Sequence, residues 1–391
     1  MRPMLPTLCL CAALGADPVS LGAEAELSEA ITEAELRAHV YRLASPEFLG
    51  RRGPGAARAS QHIAAAFAKL KLTPAFGDSY FQPIPWLLSD GNGTDSGFVG
   101  RNVGAVLTGN DPLLKDEWIL LSAHFDHLGQ SGETIYPGAD DNATGIAMLL
   151  EVAEAFALAK KPPKRTIAFV AFDLEEQGLQ GSAHFATHPP RPFGHLKAFL
   201  TADLIGRSMA NVMDEYLFVL GSETAPELRR LVTGTPPEKE LKIGRLGADL
   251  VGTRSDYGPF RDRKVPFLFF TTGTHADYHR PTDLPDRIDY PKLARVSRYI
   301  HALTERLANA SDSPSWDAKG PGPDIDEART VLMVLSRVLA RPQVVSLTSD
   351  QRARVEAARE RLDGIVGRGE VTPQERTWLV WTARMLMATV F

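Results

Sequence analysis

Five short clusters of histidine and acidic residues follow the predicted strands of this 391-residue chain. Any one of them occurs often by chance, since an acidic pair is usually part of a solvated surface. Together they supply imidazole and carboxylate groups without cysteine, a donor set that suits a catalytic zinc with a position left open for water. Five such groups suffice for two ions if one carboxylate bridges them, and two ions can bind a substrate carbonyl and a water together. In chain order, the clusters contain His124, Asp126 and His127; Asp140 and Asp141; Glu175 and Glu176; Asp203; and His279 with Asp283.

Alternating strand and helix patterns must position these clusters. Apolar runs predict strands at 103–107, 118–122, 166–172, 197–202, 216–220 and 265–271. Helical spacing predicts helices at 31–43, 61–70, 145–160, 181–188 and 291–307, and glycines at 91–97 indicate a loop. This order predicts an α/β fold, a three-layer sandwich with a mostly parallel mixed central sheet. In such sheets the binding groups lie on loops at the carboxyl ends of strands, where these clusters fall.

The two ends of the chain differ from this central part. Residues 1–25 have the composition of a signal peptide, which predicts a secreted or periplasmic protein. A cytoplasmic N-terminal segment is the alternative. Both cysteines, Cys9 and Cys11, lie in this segment, so the mature chain would have no thiol for a disulfide or a metal. Residues 311–325, rich in Pro, Gly, Ser and Asp, predict a linker between a catalytic domain at 26–310 and a helical C-terminal extension at 326–391.

Charge and hydropathy exclude two classes of partner. The net charge is -5 and no long basic run occurs, which argues against nucleic acid. The apolar stretches at both ends are shorter than the roughly 20 residues that span a bilayer, so we predict no transmembrane segment. The oligomeric state is left open.

The residues around the clusters resemble peptidase family M28, a zinc metallopeptidase family that includes bacterial leucine-type aminopeptidases. The resemblance extends over residues 36–307 and includes Leu49-Gly50-Arg51-Arg52 before the first predicted strand. It implies two Zn²⁺ ions per chain, with a pair of ligands for each ion and one bridging carboxylate. The implied ligands are His124 and Asp203 for one ion, Glu176 and His279 for the other, and Asp141 as the bridge.

The resemblance also decides between two adjacent aspartates. The bridging Asp of the family precedes a glycine by four positions, and here that glycine is Gly145, which selects Asp141 over Asp140. A cis peptide bond between Asp141 and Asn142 is implied as well. Tyr257 stands where the family often has a histidine, so substrate contacts there are in doubt.

The implied function is that of a secreted dizinc aminopeptidase, which hydrolyses N-terminal residues from peptides with a metal-activated water. Glu175 is the expected general base for that water. Asp126 is expected to orient the His124 imidazole. Asp283 is a weaker candidate for the same role toward His279. His127 and His275 are either site-lining or structural residues.

Two rival functions follow from the same fold. Glutaminyl cyclases resemble these peptidases but use one zinc, and other relatives have lost catalysis and serve as binding proteins. The complete set of five ligands, with His124 retained, favours two ions and hydrolysis.

His184 and His188 share a helix face at a spacing that can hold zinc, but no third ligand is near in sequence, so we expect neither to be a ligand. The preferred N-terminal residue does not follow from the sequence.

Overall fold

A mixed β-sheet with helices against both faces makes up the central part of the chain. The computed structural model describes residues 30–89, 95–320 and 322–389, and the predicted signal peptide lies outside them. Within these residues the strands are β1 (Thr73–Pro74), β2 (Phe81–Ser89), β3 (Asp95–Leu107), β4 (Trp118–His124), β5 (Gly129–Ser131), β6 (Thr134–Tyr136), β7 (Thr166–Phe172), β8 (Leu196–Ala202), β9 (Tyr216–Leu220), β10 (Lys242–Leu246) and β11 (Phe267–Thr271). The described α-helices are α1 (Glu33–Leu43), α2 (Pro54–Lys69), α3 (Thr144–Leu158), α4 (Gln180–Thr187), α5 (Pro226–Gly234), α6 (Ala248–Val251), α7 (Tyr257–Arg261), α8 (Tyr290–Asn309), α9 (Ile325–Ala340), α10 (Ser349–Arg368) and α11 (Pro373–Thr389).

Four parallel strands form the centre of the sheet. The strand order is β1-β3-β7-β4-β8-β11-β9-β10, with β2 also paired to β3. Strands β7, β4, β8 and β11 are mutually parallel, whereas β3 and β9 are antiparallel to their inner neighbours. The predicted α/β fold with a mixed sheet is confirmed. The carboxyl ends of the four central strands therefore lie along one edge of the sheet, the usual place for a ligand site.

Continuous apolar sequence explains why the central strands are buried. Every residue of β4 and of β7 is buried, as expected for parallel strands that are covered on both faces. Helices α1, α2, α3 and α8 pack on one face of the sheet and share one apolar core. Helices α4, α7 and α9 cover the other face. These two helical layers and the sheet give the predicted three-layer sandwich.

Short or proline-containing segments account for the differences from the sequence prediction. Strand β2 was not predicted, because Pro83 and Pro85 interrupt its pattern and proline is unusual within a sheet. Strand β10 and helices α6 and α7 are too short to show a clear period. The predicted loop at 91–97 is wrong for its last three residues, which belong to β3, and residues 91–94 lie outside the described chain.

The C-terminal segment is helical as expected, and its helices are α9, α10 and α11. They bury an apolar cluster of their own, which includes Leu335, Leu362 and Leu379. Helix α9 also contributes Val334 and Val338 to the core on the sheet. The division of the chain near residues 310 and 325 stays a prediction. In the part of the chain that the structure describes, no helix has the length and apolar character needed to cross a membrane.

Candidate metal centre

Most of the predicted ligands lie where the central strands end. His124 is the last residue of β4, Asp203 directly follows β8, and Glu176 lies in the turn after β7. His279 lies on the segment that follows β11, and Asp141 lies in the turn that leads into α3. The parallel strands deliver four of the five side chains to one edge of the sheet.

The Asp141 carboxylate lies between two imidazoles. Its Oδ1 is 3.4 Å from Nε2 of His124, and its Oδ2 is 3.1 Å from Nε2 of His279. The side chain is almost fully buried. Each carboxylate oxygen thus faces a different group of donors, an arrangement compatible with a bridge between two cations. The peptide bond between Asp141 and Asn142 is cis, as the resemblance implied.

The first group of donors is built around His124. Its Nε2 is 3.3 Å from Oδ1 of Asp203. Donor atoms of His124, Glu175 and Asp203 all lie within 4.8 Å of one another. The sequence predicted His124 and Asp203 as ligands of one ion and Glu175 as a base, and the structure places all three together.

The second group of donors is built around Glu176. Its Oε2 is 3.2 Å from Nε2 of His279, and its Oε1 is 2.9 Å from Nδ1 of His127. Donor atoms of His127, Asp141 and Glu176 lie within 4.8 Å of one another. His127 therefore belongs to the site, a role that the sequence left undecided. Its position three residues after His124, in the loop that follows β4, was the available signal.

Asp126 connects the first histidine loop to the paired glutamates. Its carboxylate accepts backbone N–H bonds from Glu175 at 3.0 Å and from Glu176 at 3.2 Å. Its Oδ1 also lies 3.6 Å from Nδ1 of His124, and its backbone oxygen is 3.3 Å from the same nitrogen. The expected contact with the imidazole is present, but the hydrogen bonds of the carboxylate go to the glutamate backbone.

The suggested role of Asp283 toward His279 is wrong. The Asp283 carboxylate accepts backbone N–H bonds from Asp140 and Asp141 at 3.0–3.1 Å and so holds the turn that carries the bridging carboxylate. Asp140 points elsewhere, since its Oδ1 accepts a hydrogen bond from Gly206 and its Oδ2 lies 3.3 Å from Nε2 of His275. His275 therefore pairs with Asp140, outside the two donor groups.

A buried arginine links the loops that carry the ligands. The Arg51 guanidinium is fully buried and donates only to backbone carbonyls. Its five hydrogen bonds reach Phe125, Leu43, Pro137, Gly138 and Asp141. They tie the loop after β4 to the turn that holds Asp141. In the sequence, Arg51 stood out only as part of the family-like segment Leu49-Gly50-Arg51-Arg52. Its structural role could not be predicted, because its partners are up to 90 residues away in the chain.

The environments of the two adjacent glutamates differ. Burial, together with the carboxylates of Asp256 and Asp203, raises the pKa of Glu175 well above its usual value. Burial also acts to raise the pKa of Glu176, but its hydrogen bonds with His127 and His279 outweigh burial and lower that pKa. Glu176 is therefore held as an anion. Glu175 has the higher proton affinity of the two, as a residue that accepts a proton requires.

The donor set fits zinc. Nε2 of His124 and Oδ1 of Asp203 are buried, and among the described residues neither has a hydrogen-bond partner, so a cation would satisfy both. Buried carboxylates this close together also need a compensating positive charge. Imidazole nitrogen and carboxylate oxygen without thiolate are ligands that a catalytic zinc uses. The residues present can therefore hold the metal that the resemblance implies.

Three further residues lie outside the donor groups. Tyr257 is buried, its ring stacks on Phe267 at 4.9 Å, and its hydroxyl donates to the Gly252 carbonyl, so it is a core residue. His184 and His188 stack on each other at 4.5 Å on α4. Neither belongs to a donor group among the described residues.

A family comparison agrees with this geometry. The model described as "Peptidase family M28" matches residues 102–304, slightly more than half of the chain. The chain belongs to peptidase family M28. The matched segment contains all five predicted ligands, from His124 to His279. The resemblance seen in the sequence and the assignment to a family of peptidases are thereby confirmed.

Individual relatives add detail. Aminopeptidase YwaD of Bacillus subtilis is 26% identical over 204 residues, which cover 50% of this chain and 42% of that protein. The chain spans about half the length of the curated relatives it matches, and these include a protein of Pyricularia oryzae named "Probable zinc metalloprotease". The LapA aminopeptidase of Legionella pneumophila is 19% identical with a TM-score of 0.57, covering 75% of this chain and 77% of its own. A glutaminyl cyclase of Porphyromonas gingivalis is 20% identical with a TM-score of 0.55, covering 72% and 100%. The two structural likenesses show the fold and do not choose between the two chemistries.

Proposed function

We propose that this M28 family member is a dizinc aminopeptidase that releases N-terminal residues from peptides. The observation that carries the proposal is the position of Asp141, whose two carboxylate oxygens face two separate donor groups. One ion would be held by His124 and Asp203, and the other by Glu176 and His279. When bound there, zinc polarises a substrate carbonyl and makes water a better nucleophile.

Glu175 is the residue that moves the proton. Its side chain is partly buried and lies beside His124 and Asp203, and its pKa is raised, so it is suited to take a proton from the attacking water. Oxygen of the water bonds to the scissile carbonyl carbon, the carbon–nitrogen bond breaks, and Glu175 returns the proton to the leaving amine. Asp126 positions this base because its carboxylate accepts a hydrogen bond from the backbone N–H of Glu175.

Glutaminyl cyclase activity is the second candidate, and the fold shared with that enzyme is the observation in its favour. A cyclase of that class would need one ion, whereas the two donor groups described above support two. A binding protein without catalysis is disfavoured because all five predicted ligands are present and converge.

Product analysis separates the three functions. The zinc-loaded protein is incubated with a peptide that has a free N-terminal leucine, with its N-acetylated form, and with a peptide that starts with glutamine. We expect mass spectrometry to show release of leucine from the first peptide and no change in the second. Loss of ammonia from the third without shortening would indicate the cyclase, cleavage of the acetylated peptide would indicate an endopeptidase, and no turnover would favour the binding protein.

We also propose export, from the signal-like composition of residues 1–25. The test is expression of the full chain with its own N-terminus, followed by fractionation and N-terminal sequencing. Recovery of a shortened chain outside the cytoplasm is expected. A full-length chain confined to the cytoplasm would contradict the proposal.

A further inference from the structure

A cavity of about 520 Å³ lies beside the candidate metal centre. Its floor is the sheet, through Phe218 and Leu220 of β9 and Phe269 of β11. These three side chains are buried and apolar. The volume is within the range of roughly 300–1,000 Å³ that is typical of small-molecule sites.

The cavity is continuous with the metal centre. Asp203, which lies 3.3 Å from His124, also lines the cavity. Tyr278 lines it as well, and its ring stacks on His279 with 3.9 Å between ring centroids. A peptide whose scissile carbonyl is at the donor groups therefore has an apolar space directly next to it.

The wall opposite the sheet comes from the C-terminal helices. Val334 and Leu335 of α9 and Ala383 and Leu386 of α11 line the cavity. Both helices lie outside residues 102–304, the segment that matches the family. The shape of this pocket is therefore a property of the extension as well as of the peptidase domain.

Charged hydrogen bonds hold this wall in place. Arg376 of α11 donates to both carboxylate oxygens of Asp249 at 2.8 Å. Glu327 of α9 is buried, accepts the backbone N–H of Gly247 at 2.7 Å and lies 3.4 Å from Arg376. Residues 247–251 contribute Leu250 to the cavity, so the same short segment lines the pocket and binds both helices. Bidentate arginine–carboxylate contacts fix orientation, which gives the wall a defined position.

We propose that helices α9 and α11 form the far wall of the pocket for the substrate's N-terminal side chain and set its length limit. The proposal rests on the proposed function and names its substrate class: peptides with a large apolar N-terminal residue. Apart from the end of the cavity that Asp203 and His275 line, the lining from the sheet and from the helices is apolar and offers a charged side chain no partner. The lining arginines, Arg254 and Arg280, are exposed and so lie at the solvent side.

The test is a substitution on a C-terminal helix that places a larger side chain in the pocket. Ala383→Phe adds a ring to the wall, and Ala353→Phe, at an exposed position of α10, is the matched control. We expect Ala383→Phe to lower kcat/KM at least about 10-fold for a phenylalanyl p-nitroanilide, with the alanyl substrate changed less than about 2-fold. The reason is that a mismatch of even one methylene in an apolar pocket costs roughly 10- to 200-fold. Zinc content should be unchanged. Calorimetry should show weaker binding of free L-phenylalanine to Ala383→Phe and unchanged binding to the control.

A second variant enlarges the pocket in case the first does not fold. Leu335→Ala should move the preference from leucyl toward tryptophanyl substrates by at least about 10-fold, the lower end of the same range of discrimination. If all variants hydrolyse with wild-type preference and bind L-phenylalanine equally, the extension does not form the pocket, while the proposed function stands. If none hydrolyses peptides but L-phenylalanine binding weakens only in the pocket variants, the pocket stands and the peptidase proposal fails.

Discussion

Replacing Arg51 by lysine tests how the ligand loops are held. The guanidinium makes five hydrogen bonds to carbonyls, and a lysine ammonium has three donors on one nitrogen, so at least two bonds are lost. A hydrogen bond to a charged group contributes about 1.5–3 kcal/mol, which gives a loss of about 3–6 kcal/mol. This is a large part of the roughly 5–15 kcal/mol that stabilises a typical domain.

Urea unfolding of the metal-free protein measures this loss. With an m value of about 3 kcal/mol/M, the midpoint should fall by about 1–2 M. Zinc titration should show the second effect, because the carbonyls of Gly138 and Asp141 lose their donor and the bridging carboxylate is less well held. Changes in such supporting contacts typically lower metal affinity about 10- to 100-fold.

Arg52→Lys is the matched control. Arg52 is the next residue and is exposed, and its side chain donates to Gln177 at 3.5 Å. Its replacement should change the unfolding free energy by less than about 0.5 kcal/mol. Equal midpoints for Arg51→Lys and Arg52→Lys would refute the structural reasoning. A lower midpoint with unchanged zinc affinity would show that Arg51 supports the fold without positioning the metal ligands.

Three further predictions follow from other parts of the molecule. Glu175→Gln should keep two zinc ions and lower kcat by about 10²–10⁴-fold, whereas Glu176→Gln should lose zinc; zinc loss from the first variant alone would mean that the roles are exchanged. Burial lowers the pKa of His301 from 6.5 to about 4, so the unfolded chain binds this proton more tightly and stability falls as the pH falls from 6.5 to 4. His301→Leu should remove up to about 3 kcal/mol of this acid destabilisation. If the unfolding free energy measured in urea fell equally for both proteins between pH 7 and pH 4.5, the prediction would be wrong. A chain that ends at Asn309 lacks Val338, so the part of the sheet core against which that residue packs is uncovered. The shortened chain should therefore bind more anilinonaphthalene sulfonate and unfold at a lower urea concentration. An unchanged unfolding midpoint would show that residues 26–310 are stable without the C-terminal helices.

The ligand positions could be predicted because strand order determines them. His124, Asp203 and Glu176 follow strands whose buried apolar runs are easy to recognise, and parallel strands bring their carboxyl ends to one edge. The choice of all five ligands, Asp141 and His279 included, came from the family resemblance, which also implied the cis peptide bond. These features depend on local sequence and on a known arrangement.

The supporting contacts could not be predicted, because they join segments far apart in the chain. Arg51 and Asp283 hold the Asp141 turn from 90 and 142 residues away, and nothing local marks either side chain as a partner. The wall formed by Leu335 and Ala383 likewise depends on how the C-terminal helices dock. Helical periodicity predicts that such helices exist and gives no information about which cavity they line.

The number of zinc ions per folded chain tests the central claim most directly. The metal-free protein is loaded with excess zinc, passed through a desalting column, and analysed for zinc and for protein concentration on the same sample. Two ions per chain are expected, one for each donor group that shares Asp141. One ion per chain would contradict the dizinc site and favour the cyclase class, and no zinc in a folded sample would contradict the metal centre itself.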